Sequence, residues 1–153
     1  MISLNTNFDA AEEQALKALR EGNTHDSIQY YREAVAKNPN DPKLATELAA
    51  VLLKNQCYQE SINEADHALE MNPSCVQAYY IEAIAKLFLD QHQEALNAIN
   101  KAIQLNAGGA SKATIKSKAD EPKAVKESIQ KNAPTVKFFS MDFSKAISFA
   151  NHN

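Results

Sequence analysis

The chain has 153 residues, of which 44% are apolar and 23% charged, with a net charge of −3. That is the composition of an ordinary globular protein, and no apolar run approaches the ~20 residues that a membrane-spanning helix needs. Three glycines and five prolines among abundant Ala, Leu, Glu, Lys and Gln predict helix along nearly the whole length.

The opening MISLNTNF lacks the basic region and long apolar core of a secretory signal. Cys57 and Cys75 form no Cys-x-x-Cys motif, so they read as two small thiols in a reducing compartment rather than a disulfide or metal site. A cytoplasmic location is the expectation. The net charge hides an asymmetry. Residues 1–107 hold 8 basic side chains against 15 acids, a net −7, while residues 108–153 hold 8 lysines against 4 acids, a net +4. An acidic body argues against nucleic acid as a partner.

In chain order, the first predicted helix starts near Asn7, a good N-cap, and runs to about Glu21, where Gly22 ends it. The second carries Ile28, Tyr31, Ala34 and Val35, a stripe at helical spacing. Asn38-Pro39-Asn40 breaks it, because proline lacks the amide and clashes with the preceding turn. Asp41-Pro42 then reads as a cap followed by proline at the first helical position, where the missing amide costs little. A further helix pair closes at Asn72-Pro73-Ser74, and a third places Tyr79, Ala83 and Leu87, then Ala95, Ile99, Ala102 and Ile103, on its inward faces.

Slid by 34 residues, the chain overlays itself. Ala15, Ala49 and Ala83 align, as do Ala34, Ala68 and Ala102, Ile28, Ile62 and Leu96, Leu19, Leu53 and Leu87, and Val35, Leu69 and Ile103. Each unit closes on a related word: Lys37-Asn38-Pro39, Met71-Asn72-Pro73, Leu105-Asn106-Ala107. This period, with small residues at fixed helical positions and a closing proline, resembles the tetratricopeptide repeat. The resemblance covers residues 8–109 and divides them into repeats at about 8–41, 42–75 and 76–109. It implies an all-α fold, a right-handed α-solenoid of three helix-turn-helix repeats over residues 1–109, with a tail of one or two short helices. The pattern departs from the family in two ways. Ala107-Gly108-Gly109 replaces the last proline, and the family's early aromatic survives only as Tyr79, with Ala11 and Ala45 in the equivalent places.

Beyond the glycine pair, residues 110–137 read as a lysine-rich linker with a short helix at Glu121–Asn132. Residues 138–153 are different. Phe138, Phe139, Phe143 and Phe149 are four of the chain's six phenylalanines, and Phe139, Phe143, Ile147 and Ala150 fall at helical spacing. The Phe139, Phe143 and Ile147 face is a candidate docking motif, either for the protein's own array or for another protein.

Catalysis needs convergent nucleophiles, bases or metal ligands. His25, His67, His92 and His152 are scattered, and Gly108-Gly109 follows a helix rather than opening one on a phosphate. The reading is of a non-enzyme with no catalytic, cofactor or metal site. Stacked helix pairs offer instead a concave groove lined by the first helix of each repeat. In the family's register its candidate partner-binding residues are Leu16, Leu19 and Arg20, then Ala50, Leu53 and Lys54, then Gln77, Tyr80, Ile84, Leu87 and Phe88. For Leu19, Leu53 and Leu87 the alternative is inter-helix core.

The spacing looks like that of co-chaperone repeat modules, many of which grip chaperone C-terminal carboxylates with fixed Lys, Asn and Arg side chains. Here the matching places hold Glu12, Leu16, Glu47, Gln77 and Ile81, so the resemblance argues against acidic chaperone C-termini as ligands. The expected function is a protein-binding adaptor that holds a peptide or helix in an apolar groove, regulated by its own C-terminal segment. The alternative is an assembly protein that dimerises through its array ends or tail.

Overall fold

In a computed structural model, residues 6–106 are described, with their side chains over residues 10–105. The short helix expected at 121–132 and the aromatic segment at 138–153 lie outside the described residues. Six helices follow one another: α1 Thr6–Arg20, α2 Thr24–Lys37, α3 Pro42–Lys54, α4 Tyr58–Met71, α5 Val76–Phe88 and α6 His92–Asn106. They pack as three hairpins, α1 on α2, α3 on α4 and α5 on α6. The hairpins stack through α2 on α3, α4 on α5 and α3 on α5. The result is the all-α solenoid that the 34-residue period predicts.

The local causes are legible. Asn23 caps α2, its side-chain oxygen accepting from the Asp26 amide at 3.2 Å. Asp41 caps α3 by accepting from the Lys43 amide at 2.9 Å, with Pro42 in the first turn. Within each hairpin the chain reverses by one device. Gly22, Gln56 and Asp90 all have left-handed backbone, with φ of 80°, 64° and 59°. The next amide in each case, from Asn23, Cys57 or Gln91, reaches back to Ala18, Leu52 or Lys86 at 2.8–2.9 Å. Gly22, Gln56 and Asp90 themselves donate to Leu19, Leu53 and Leu87 at 3.0–3.2 Å. This double bond pattern satisfies the last carbonyls of each first helix.

A second device recurs with the same period. The Ser27 hydroxyl donates to the Ala15 carbonyl at 2.9 Å, and the Ser61 hydroxyl to the Ala49 carbonyl at 2.7 Å. Both serines are fully buried, so each hairpin is tied by a hydrogen bond shielded from water. The third hairpin has Ala95 in that place. Around these ties all six register alanines, Ala15, Ala34, Ala49, Ala68, Ala83 and Ala102, are at 0% exposure. Only a methyl group fits where two helix backbones approach this closely.

The core is continuous along the array but falls into two clusters. One joins α1 and α2 to Leu44, Leu48, Val51 and Leu52 of α3. The other joins Ala45, Ala49, Ala50 and Leu53 of α3 to α4, α5 and α6. Helix α3 is therefore buried from Leu44 to Leu53, one side against the first repeat and the other against the repeats that follow.

Candidate functional site

The first helices α1, α3 and α5 carry the eleven positions that the sequence assigns to a groove. Arg20, Lys54 and Gln77 are exposed, while Leu16 and Phe88 are half-buried. The remaining six are buried: Leu19 at 7%, Leu53 at 4%, Leu87 at 3%, Tyr80 at 2%, Ile84 at 1% and Ala50 at 0%. The three polar positions thus face solvent, and six of the apolar ones lie within the core. Ala50, Leu53, Tyr80, Ile84 and Leu87 belong to the larger core cluster, and Leu19 to the smaller. Phe88 stacks its ring on Tyr58, with centroids 4.6 Å apart and planes 6° from parallel, which ties the start of α4 to the end of α5.

At the end of the groove nearest the first repeat lies a charged cluster that the sequence reading met only as part of a missing clamp. Lys43 Nζ stands 2.6 Å from Glu12 Oε1 and 3.7 Å from Glu47 Oε1. Lys43 is exposed, whereas Glu47 is buried at 7% beside the fully buried ring of Tyr31. Burial, together with the charge of Glu12, pushes the Glu47 carboxyl up to about 7, against the opposing pull of Lys43 and a hydrogen bond from Tyr31. Burial and the nearby charges of Glu47 and Glu12 hold the Tyr31 hydroxyl well above the usual phenol range. The Lys43 ammonium is strengthened in turn, chiefly by its hydrogen bond to Glu12.

These positions matter for ligand charge. Of the five places where the resemblance implies a carboxylate clamp, Glu12 and Glu47 are acidic, Leu16 is half-buried and Gln77 is exposed. Ile81 is at 0% exposure inside the core cluster and faces no ligand. The one cation in the cluster, Lys43, is already held by Glu12.

Away from the groove, a cleft between α5 and α6 is lined by Tyr79, Glu82, Lys86, Asn97 and Lys101. Its charges are mixed and Lys86 bonds Glu82 within α5, so no set of donors converges on one point. Cys57 and Cys75 are free and half-buried. No group of metal-ligating side chains gathers among the described residues. No helix there is long and apolar enough to cross a membrane.

Residues 18–87 match the family model of the tetratricopeptide repeat. Those residues carry tetratricopeptide repeats, and the six helices have the fold of such an array. Among curated proteins, mouse Tetratricopeptide repeat protein 28 is 32% identical over 85 residues, covering 56% of this chain and 4% of its own length. The Hsp70-Hsp90 organizing protein 2 of Arabidopsis thaliana is 23% identical over 96 residues, covering 63% of this chain and 17% of that protein. The chain thus spans a small fraction of these longer relatives.

Among solved structures, the TPR2B domain of yeast Sti1 in its pHsp70 complex superposes with a TM-score of 0.66 at 21% identity, over 82% of this chain and 97% of that one. The second TPR domain of human RPAP3, in complex with HSP70 peptide SGPTIEEVD, does so at 0.66 and 19% identity, over 83% and 95%. The likeness is one of fold.

Proposed function

We propose that the array is a non-catalytic adaptor that holds a peptide or helix of a protein partner along α1, α3 and α5. The observation that carries this is that the first helices leave Leu16 and Phe88 half-buried beside exposed Arg20, Lys54 and Gln77, over a core side of Ala50, Leu53 and Ile84. An apolar strip with polar edges is what helix-in-groove recognition uses. Free thiols at Cys57 and Cys75 fit a reducing, cytoplasmic setting.

The similar RPAP3 domain holds an acidic peptide. For this chain we take acidic C-termini as excluded, because Glu12 and Glu47 hold places where the resemblance implies carboxylate-gripping Lys, Asn and Arg side chains, and Lys43 is already paired with Glu12. Titration with SGPTIEEVD should give no saturable binding in the micromolar range. Micromolar binding that is lost when the peptide's carboxylate is blocked would overturn the charge argument. The groove itself is tested by photo-crosslinking groups at the exposed positions Lys54 and Gln77, with one at Lys101 on α6 as control. Adducts from the first two positions and not the third are expected, and equal labelling at all three would remove the groove from the proposal.

A further inference from the structure

In the last described repeat the groove side of α5 is drier than that of α1 in the first. At matching places in the repeats, Glu12 and Leu16 of α1 keep part of their surface in water, although α1 has the second repeat beside it. Their counterparts Tyr80 and Ile84 are 2% and 1% exposed. The use of α3 shows what this side of α5 is for. Ala50 and Leu53 of α3 belong to the cluster that faces the following repeats, and Ile84 and Leu87 hold the same places in α5. No described helix follows to meet them. Six consecutive residues of α5, Tyr80–Ala85, are buried, and six residues go completely round a helix. The described helices that pack substantially on α5 are α3, α4 and α6.

We propose that the aromatic C-terminal segment of the same chain, residues 138–150, occupies the groove over the last two repeats and competes there with the partner. The proposal rests on the groove being the binding face, and it names what regulates that face. The segment supplies the right surface: four phenylalanines, with Phe139, Phe143 and Ile147 on one helical face. Rings of ~150–250 Å² each carry a large apolar area to bury. The stretch 121–132 is the competing candidate, but it offers only Ala124, Val125 and Ile129.

Reach is sufficient. A flexible chain of the length of residues 107–137 would span roughly 30 Å, against a length of about 20 Å for each helix of the array. Charge favours keeping the tether near the array: residues 108–137 hold 7 lysines against 3 acids beside a body of net −7, while the segment 138–150 is itself neutral. A tether of this kind gives an effective concentration near the millimolar range, so a weak contact stays mostly closed while a tighter external partner displaces it.

The test uses the full chain, with hydrogen exchange and amide chemical shifts measured for the wild type and for a Phe139→Ser, Phe143→Ser, Ile147→Ser variant. The substitutions lie outside the array. Docking requires amides in 138–150 that exchange at least about tenfold more slowly than random coil. The variant should lose that protection and shift Leu53, Tyr80 and Ile84, identically across a tenfold range of protein concentration. Random-coil exchange of 138–150 in the wild type overturns the proposal. So does protection confined to 121–132, protection without groove shifts, or protection that grows with concentration, which would mean a second copy.

A synthetic peptide of residues 136–151, added to the variant, separates the two readings. Shifts at Tyr80 and Ile84 with a free wild-type tail would leave the groove standing and remove self-docking. A docked tail whose release leaves the Lys54 and Gln77 crosslinks unchanged would remove the competition.

Discussion

Glu47 is the residue whose environment is least like water, and its energetics are open to measurement. In the folded chain it keeps its proton to about pH 7, whereas an ordinary glutamate gives it up near 4.5. Within that window the folded state binds more protons than the unfolded one, so stability falls as pH rises from 4.5 to 7. Burial sets most of the effect; Lys43 one turn earlier opposes it, Glu12 adds to it, and the Tyr31 hydrogen bond also opposes it. Glu47→Gln keeps the shape and an acceptor for Tyr31 while removing the charge. The variant should match the parent below pH 4.5 and exceed it at pH 8 by on the order of 1–2 kcal/mol in urea unfolding. Parallel pH profiles for the two proteins would show that Glu47 is solvated after all. Nothing in the residue's sequence context separates it from the other acids. Its burial goes with the packing of α3 against the first repeat, where the fully buried Tyr31 of α2 lies beside it.

At the scale of the helix and its turn, two substitutions probe the register. Ala68 sits at 0% exposure between helices, so Ala68→Leu overpacks a site with room for one methyl and should cost about 1–3 kcal/mol. An unchanged melting temperature would mean that α4 faces another way. The turn residue Gln56 stands at φ 64°, a conformation that costs a side-chain-bearing residue about 1–2 kcal/mol. Glycine removes that strain at an entropic cost of roughly 0.5–1 kcal/mol, so strain outweighs entropy. Gln56→Gly should therefore stabilise the array by about 0.5–1 kcal/mol, raising the melting temperature by a few degrees. A lower melting temperature would count against the strain argument.

These elements also show where the sequence is legible. The alanine contacts and closing prolines announce themselves because close approach and chain breaking admit few residue types. The left-handed turns do so only at Gly22. Asp90 is of a type that tolerates the left-handed region, whereas Gln56 adopts it under tertiary constraint and no residue preference marks it. The serine ties are likewise silent, since a serine 12 positions after an alanine looks like any polar residue until the two helices are stacked.

For the whole molecule, the groove floor is the part that sequence reasoning left open. Helical spacing assigns Leu19, Leu53 and Leu87 to the inner side of the array but does not separate a ligand-facing side chain from a core one. That distinction depends on what lies over them, and the three prove to be 3–7% exposed. Phe88, expected on the groove, spends one ring face on Tyr58 instead. That pairing joins residues of different repeats, which no period within the chain foretells.

The hairpins touch only along the line of the array, each with the next, and this has a consequence for how the protein is made. Chains rich in contacts between near neighbours fold quickly, and such an array can begin to form wherever two hairpins are available. On the ribosome the first and second repeats can close before the third has left the exit tunnel. The aromatic segment follows all of them. On the proposal of a self-docking tail, a newly made array passes through a period with its first helices stacked and the tail still unsynthesised, when a partner at the ribosome would meet no competitor.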